Sequence, residues 1–349
     1  MKVVVVDDSA FMRSIVGRLL RDDPDFEVVG YAGDGAEAVE KVAQLRPDVV
    51  TMDVEMPRMN GIEAVEAIMR QTPTPVVMLS GVTLRGAAVT IEALAKGAID
   101  FVTKPTGGSE ADLATLRDEL KDKLRRAARL SSARLAAARL ASGPPPAPVG
   151  ARPAFRPLGL AQRARKVVAI GASTGGPAAL TQLLPQLPGD MAAGVLVVQH
   201  MPAGFTKALA DRLNGLSQLT VREAVAGELV QNGTALVAPG DFHMAVDGSG
   251  HVVLNQSPPV HSVRPAADVL LASVAKTYGR LALGVVLTGM GHDGAAGATD
   301  VKRAGGQVIV QDEASSVVYG MAASVVEAGS ADAIVPLTHI ASRIVQALL

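Results

Sequence analysis

Cysteine is absent from the chain, which removes disulfide frameworks and Cys-ligated metals from consideration. Aromatic residues make up only 3%, and with 35 glycines this argues for α/β layers joined by tight turns rather than an all-β sandwich. Neither sign of charge dominates: the formal net charge is -1, so no global field favours nucleic acid or a membrane surface. No apolar run approaches the ~20 residues that a bilayer span requires. The opening MKVVVVDDSA places two acids where a signal peptide would continue its apolar run. A cytoplasmic protein without membrane insertion is expected.

What the chain does have is a supply of short apolar runs. Hydrophobic residues are 48% of 349, ample for two buried cores, and the length argues for two domains. Val3 to Val6, Phe26 to Val29, Val49 to Met52, Val76 to Leu79 and Ile99 to Val102 are continuous and rich in β-branched residues, as parallel strands buried on both faces require. Helix-period segments lie between them; Ala36, Val39, Val42 and Ala43 fall on one apolar side. Five βα units in succession predict a doubly wound sheet with the flavodoxin-like strand order.

From Asp112 to about Leu140 an Ala/Arg/Leu stretch reads as a last helix continuing into a basic extension. SGPPPAPVGARPAFRP then stops any helix, because successive prolines lack the N–H and fix φ. The expected division is residues 1–122 for a first α/β domain, 123–165 for a basic helical extension and Pro-rich linker, and 166–349 for a second α/β domain. The linker is equally readable as a hinge and as a passive spacer. The Arg-rich stretch Arg125 to Arg139 is read as a solvated face rather than a nucleic-acid contact.

The second domain repeats the architecture without repeating the motifs. Strand candidates are Val167 to Ile170, Val195 to Gln199, Leu281 to Leu287, Val308 to Gln311 and Ala333 to Val335. Thr234 to Leu254 differs: HMAV and HVVL flank DGSG, the pattern of an antiparallel hairpin. A mostly parallel α/β domain with an added hairpin is therefore expected.

Two groups of polar residues fall at strand ends. In the first, Asp7 and Asp8 follow the first strand, Asp53 ends the third, Ser80 ends the fourth and Lys104 follows the fifth. A parallel sheet gathers these positions at its carboxyl edge, where open α/β sheets bind ligands. Acids after strands also cap the helices that follow, and for one Asp alone that reading suffices. Three carboxylates crowded together call for a cation between them, and a hard, oxygen-preferring Mg²⁺ is the expected occupant. The ion and Lys104 would neutralise a phosphoryl group on Asp53, and the Ser80 hydroxyl would bond one of its oxygens. The isomer of the Lys104–Pro105 bond is left open.

In the second group, VVAIGASTGG sets Ser173 directly after a strand in the spacing Gly171-x-Ser173-x-Gly175. A strand-to-helix turn presents a serine hydroxyl at the sheet edge, and the N–H groups of the following helix start can stabilise an oxyanion. A Gly-rich phosphate cradle is the competing reading, but no GK[ST] ending follows and GASTGG does not fit G-x-G-x-x-G. His200 ends the strand VLVVQ and Asp293 follows LGVVLTGMG, so nucleophile, base and orienting acid converge on one edge. Their order, Ser then His then Asp, differs from that of the α/β-hydrolases, so a separate solution to the same geometry is expected. In these roles Ser173 attacks, His200 takes and returns its proton, and Asp293 holds the imidazole's tautomer. His261, in the loop PPVHSVRP, is placed at the rim. Arg264 beside it is readable either as a substrate contact or as the partner of Asp268 one helical turn on.

VVVDDSAFMR, LRPDVVTMDVEMPRMNG, VVMLSG and GAIDFVTKP resemble the receiver domains of two-component response regulators, from Lys2 to about Lys121. The resemblance implies phosphorylation of Asp53 by a histidine kinase, with Asp7 and Asp8 at the Mg²⁺ site. Asn60 departs from the Asp that many relatives carry before the glycine, and serves equally well to start a helix. AIGASTGGP, VVQHMP, LVAPGDFHM, PPVHSVRPAADVLL, LTGMGHDGAAG and AGGQVIVQDEASSVVYGM resemble the methylesterase domain of chemotaxis-type protein-glutamate methylesterases, from Val167 onward. That family's triad falls on Ser173, His200 and Asp293. Thr174 and Met290 line its active site, and their backbone N–H groups are assigned to the oxyanion hole. Met321–Ala322 stands where relatives often have Met-Pro.

Together the two resemblances imply a phosphorylation-activated serine hydrolase. It would demethylate glutamate γ-methyl esters on cytoplasmic chemoreceptor helices and deamidate particular receptor glutamines, with no cofactor at the esterase site. A non-enzymatic adaptor and a DNA-binding regulator are the rival classes; the complete triad disfavours the first and the absence of a basic recognition helix the second. A tethered receiver that covers the catalytic edge accounts for control. A shift from about 1% to 99% open requires roughly 5.5 kcal/mol, so partial autoinhibition with basal activity is expected.

Overall fold

The computed structural model describes residues 1–81, 83–105, 109–130 and 163–349. The chain divides into two compact units, Met1–Leu140 and Ala141–Leu349. The Pro-rich stretch and the basic extension beyond Leu130 fall outside the described residues.

In the first unit β1 (Lys2–Val6), α1 (Ala10–Arg21), β2 (Glu27–Ala32), α2 (Gly35–Leu45), β3 (Val49–Asp53), α3 (Gly61–Gln71), β4 (Val76–Ser80), α4 (Leu84–Lys96), β5 (Asp100–Thr103) and α5 (Glu110–Ala128) alternate. The strands form one parallel sheet in the order β2-β1-β3-β4-β5, the flavodoxin-like order. Val3 to Val6 and all of β3 and β4 are buried, which is why their apolar residues run on instead of alternating, with Thr51, Asp53 and Ser80 as the buried polar exceptions. Side-chain oxygens from Ser9, Asp34, Asn60, Thr83 and Ser109 cap the five helices. Asn60 completes a capping box with Glu63, so its departure from Asp costs the helix start nothing.

The second unit runs β6 (Lys166–Ala172), α6 (Gly176–Leu183), β7 (Ala193–Gln199), α7 (Phe205–Leu216), β8 (Thr220–Glu223), β9 (Thr234–Val237), β10 (His243–Val246), β11 (Val252–Asn255), α8 (Ala267–Tyr278), β12 (Ala282–Val286), α9 (Ala295–Arg303), β13 (Gln307–Gln311), α10 (Met321–Glu327), β14 (Ala333–Val335) and α11 (Leu337–Leu348). Its main sheet has seven parallel strands in the order β14-β13-β12-β6-β7-β9-β8. The chain fills one side of β6 first and then returns to the other, so the topological switch lies between β6 and β12. Sites of this fold class form at that crevice.

The antiparallel hairpin is β10 with β11, turning through Asp247–Gly250, and β11 begins one residue after His251, which bridges to Leu229. Thr234–Val237 does not belong to it, contrary to the reading of Thr234 to Leu254 as one hairpin region: this fully buried run is a central-sheet strand pairing with β7 and β8. Strand β8 carries a single buried residue, Val221, too little for a periodic signal. The cis peptide bond among the described residues is Arg264–Pro265; Lys104–Pro105 is trans. Among the described residues no helix is long and apolar enough to cross a membrane.

Candidate functional sites

At the carboxyl edge of the first sheet, Asp7, Asp8 and Asp53 each bring a carboxylate oxygen to within 4.8 Å of the others. Asp7 and Asp53 are buried and Asp8 is exposed. Lys104 Nζ sits between the buried pair, 2.7 Å from Asp7 Oδ2 and 2.8 Å from Asp53 Oδ1. Asp7 Oδ1 also accepts the Ser9 N–H at 2.9 Å, and Asp53 Oδ1 the Val54 N–H at 2.7 Å. Burial pushes the Asp53 carboxyl above its ordinary range; Lys104 opposes this, while the Asp7 charge adds to it. Burial pulls the Lys104 ammonium down, but its two carboxylate partners outweigh that and hold it above the usual lysine value. The donor set is all oxygen and carries excess negative charge, which fits a hard divalent cation. Ser80 is buried, and its hydroxyl accepts from Thr90 Oγ1 at 2.7 Å while facing the carbonyls of Gly81 and Gly86. It is thus engaged with α4 rather than with the carboxylates.

At the corresponding edge of the second sheet, Ser173 follows β6, His200 follows β7 and Asp293 lies in the turn after β12. These three strands are neighbours, in the order β12-β6-β7, so all three residues lie along one sheet edge beside the switch crevice. His200 Nε2 is 2.7 Å from Asp293 Oδ2. Asp293 is buried; burial pushes its carboxyl up, but the His200 hydrogen bond and charge and the N–H groups of Asp268 and Ala267 together hold it below the ordinary value. A carboxylate so ionised has no proton to give, so His200 Nε2 carries the shared hydrogen and Nδ1 is left as the basic nitrogen. Among the described residues no hydrogen bond links Ser173 Oγ with His200.

The serine turn is tied into the sheet on several sides. The Ser173 N–H donates to Thr288 O at 3.1 Å, and the Gly176 N–H returns to Ser173 O at 2.7 Å. Thr288 Oγ1 donates to Thr174 O at 3.0 Å. Gly175 adopts φ +78°, and a Cβ there would stand 2.7 Å from Val317 Cβ, so glycine is required by conformation and by space.

Asp293 is held by more than the histidine. Its Oδ2 accepts the Ala267 N–H at 2.6 Å and its Oδ1 the Asp268 N–H at 2.9 Å, at the start of α8. Asp268 Oδ1 accepts the N–H groups of Gly294 at 2.9 Å and Gly297 at 2.7 Å, and its Oδ2 meets His261 Nε2 at 2.8 Å. His261 and Ser262 take φ of 52° and 64° in a tight turn closed by hydrogen bonds between Val260 and Val263. The His261 ring stands edge-on to that of His292, centroids 4.3 Å apart. The His261–Asp268–Asp293 group is compact, but its carboxylate oxygens already accept N–H donors, so it is a hydrogen-bond network rather than a ligand cage.

Arg264 does not pair with Asp268. Its guanidinium bonds Asp241 and the carbonyls of Gln256, at 3.1 Å, and Ser257, at 2.9 Å, because Asp268 is already committed to the start of α9 and to His261. His243 is buried against Pro258 O at 3.2 Å, a structural contact. Residues given no part in the site from the sequence, namely Gln199, Thr288 and Gln311, supply much of the scaffolding together with Asp268, which was read there only as a partner for Arg264. The one sequence signal for them is position: Gln199 and Gln311 end β7 and β13 at the same sheet edge.

Residues 168–344 match the CheB methylesterase family and residues 3–115 the response regulator receiver domain. The chain is 50% identical over 350 residues to a protein-glutamate methylesterase/protein-glutamine glutaminase of Symbiobacterium thermophilum, covering 99% of this chain and 97% of the relative. It is 45% identical to the protein of the same name from Thermotoga maritima, with 99% and 98% covered. Among solved structures, the Thermotoga maritima CheB methylesterase catalytic domain aligns with a TM-score of 0.51 and 46% identity, over 52% of this chain and 97% of that domain.

Proposed function

Because the chain belongs to the CheB methylesterase family and carries a response regulator receiver domain ahead of it, we propose that it hydrolyses glutamate γ-methyl esters on chemoreceptors and deamidates particular receptor glutamines, by a serine mechanism controlled through Asp53. The observation that carries the mechanism is the convergence of Ser173, His200 and Asp293 on three adjacent strand ends, with His200 Nε2 held 2.7 Å from an ionised Asp293.

In this reading His200 Nδ1 takes the proton of Ser173 Oγ as the oxygen attacks the γ-carbonyl carbon. The tetrahedral oxyanion is met by the backbone N–H groups of Thr174 and Met290. His200 then returns the proton to the leaving group, methanol from an ester or ammonia from an amide, and an acyl-Ser173 remains. Water, deprotonated by the same imidazole, releases the glutamate carboxylate and restores the serine. Asp293 stays ionised throughout and stabilises the imidazolium.

In the receiver, Asp53 accepts a phosphoryl group from a histidine kinase. Asp7, Asp8 and Asp53 would hold Mg²⁺, whose charge neutralises the phosphoryl oxygens when bound. Lys104 stays as the protein's own cation there, and Ser80 must leave its Thr90 partner to bond a phosphoryl oxygen. Substrates on cytoplasmic receptor helices place the protein in the cytoplasm.

The test is methanol release from methylated receptor with and without a small phosphodonor, in the native chain, Asp53→Ala and Ser173→Ala. Ser173→Ala is expected to be inert yet still phosphorylated, and Asp53→Ala to retain basal release that the phosphodonor does not raise. Release by Ser173→Ala at the native rate would remove the serine mechanism.

A further inference from the structure

Beneath the serine turn lies a side chain that has no part in the chemistry above. Gln199, the last residue of β7, is 2% exposed. Its Nε2 donates to Ser173 O at 2.9 Å and to His200 O at 3.3 Å. The two N–H bonds of one planar amide thus end on the main-chain carbonyls of the two residues assigned as nucleophile and base. The reverse orientation would set Oε1 against two carbonyl oxygens, so the chemistry fixes which end is nitrogen.

The other end of the amide is as telling. Gln199 Oε1 is buried without a hydrogen-bond partner, and a Cβ on Gly176 would stand 2.0 Å from it. Burying an unpaired acceptor costs stability, and packing alone gives no reason to choose glutamine over an apolar side chain of the same length. The turn also has a second, independent anchor: Thr288 takes the Ser173 N–H, and the Thr288 N–H is held by Gln311 Oε1 at 2.8 Å. Loss of the Gln199 amide therefore loosens the turn on the side of the base while the opposite side stays tied.

We infer that Gln199 is a positioning residue of the esterase site, setting the separation of Ser173 from His200 by clamping both carbonyls to one rigid amide. The inference rests on the reading of these two residues as nucleophile and base. Their side chains are not hydrogen-bonded at rest, so the approach of Oγ to Nδ1 depends on how firmly the turn after β6 is held against the end of β7.

The experiment uses the full-length chain with a phosphodonor. Gln199→Met keeps the length and removes both donors; Gln199→Glu keeps the shape and donates only when protonated. Methanol release is resolved into kcat and KM, and Ser173 reactivity is followed separately with a fluorophosphonate. Gln199→Met is expected to lower kcat by about 10- to 100-fold, the scale of a misplacement near 1 Å, with KM unchanged and labelling slowed in parallel. Gln199→Glu is expected to be impaired at neutral pH and to recover, relative to the native chain at the same pH, as acidification restores one donor. A purely structural role gives no such recovery. Native kcat in either variant overturns the inference, as does a loss accounted for by the unfolded fraction while labelling per folded molecule stays native. If Gln199→Met does not fold, the pH recovery of Gln199→Glu decides. Ser173→Ala separates the two levels: release at the native rate removes the serine reading itself, whereas an inert Ser173→Ala beside a fully active Gln199→Met removes only the role of Gln199.

Discussion

Asp268 and Asp293 each cap the helix that the other heads: Asp293 accepts the N–H groups of Ala267 and Asp268 at the start of α8, and Asp268 those of Gly294 and Gly297 at the start of α9. Two buried carboxylates within 4.8 Å would ordinarily repel. Here each faces the positive end of a helix and one imidazole, His200 for Asp293 and His261 for Asp268. The orientation of Asp293, the proposed triad acid, is thereby built into the packing of two helices.

Asp268→Ala removes both caps of α9 and the partner of His261. A loss of about 1–2 kcal/mol in the catalytic unit is expected, with lower methanol release because Asp293 loses its frame. Asp268→Asn keeps an acceptor for Gly294 and Gly297 and is expected to retain most of the stability. Thermal unfolding of both variants checks this, and equal melting temperatures for Ala and Asn would refute the capping role.

Asp293 has a folded pKa below its ordinary value, through His200 and two backbone N–H groups that outweigh burial. Its contribution to stability is therefore fully present above the unfolded carboxyl value of about 3.9 and is lost as pH falls through the folded one. In Asp293→Asn the acid limb of stability is expected to be shallower than in the native chain, while the two curves run parallel at neutral pH. Melting temperatures from about pH 6 down to pH 3 supply the comparison.

Lys104 is the cation that separates the buried carboxylates of Asp7 and Asp53. Lys104→Met leaves them facing one another, at an expected cost of about 3 kcal/mol to the receiver unit without divalent metal. Added Mg²⁺ is expected to recover part of that loss, and by a larger increment than it gives the native chain. A receiver melt insensitive to the substitution in metal-free buffer would contradict this.

Gly61 stands where a Cβ would lie 2.1 Å from the carbonyl oxygen of Asp53. That neighbour is backbone and cannot rotate away, so Gly61→Ala must displace the strand end that carries Asp53, the proposed phosphoacceptor. Loss of about 1–3 kcal/mol and slower phosphorylation from a small phosphodonor are expected. A native phosphorylation rate would show that the loop absorbs the methyl group without moving Asp53.

The strands were legible where both faces are buried, since β1, β3, β4, β6 and β7 then carry near-continuous apolar runs, with polar residues mostly at their ends. Strand β8 was not, because an edge strand with one buried residue has no pattern to find. Strand β9 was misplaced because TALV and HMAV read alike as apolar runs, and which sheet each joins is settled by long-range pairing.

The sequence by itself determined that polar residues at the ends of apolar runs must gather at sheet edges, because parallel strands bring their carboxyl ends together whatever the loops do. That is enough to single out Asp7, Asp53 and Lys104, and likewise Ser173, His200 and Asp293. Only the tertiary structure decided what holds them. Asp268 turned away from Arg264 to cap α9, Arg264 went to Asp241, and Gln199 reached across to Ser173 O. Such partnerships follow from which helix starts and strand ends become neighbours after folding, and a buried hydrogen-bond donor or acceptor takes its partner by distance and direction, of which spacing along the chain carries no record.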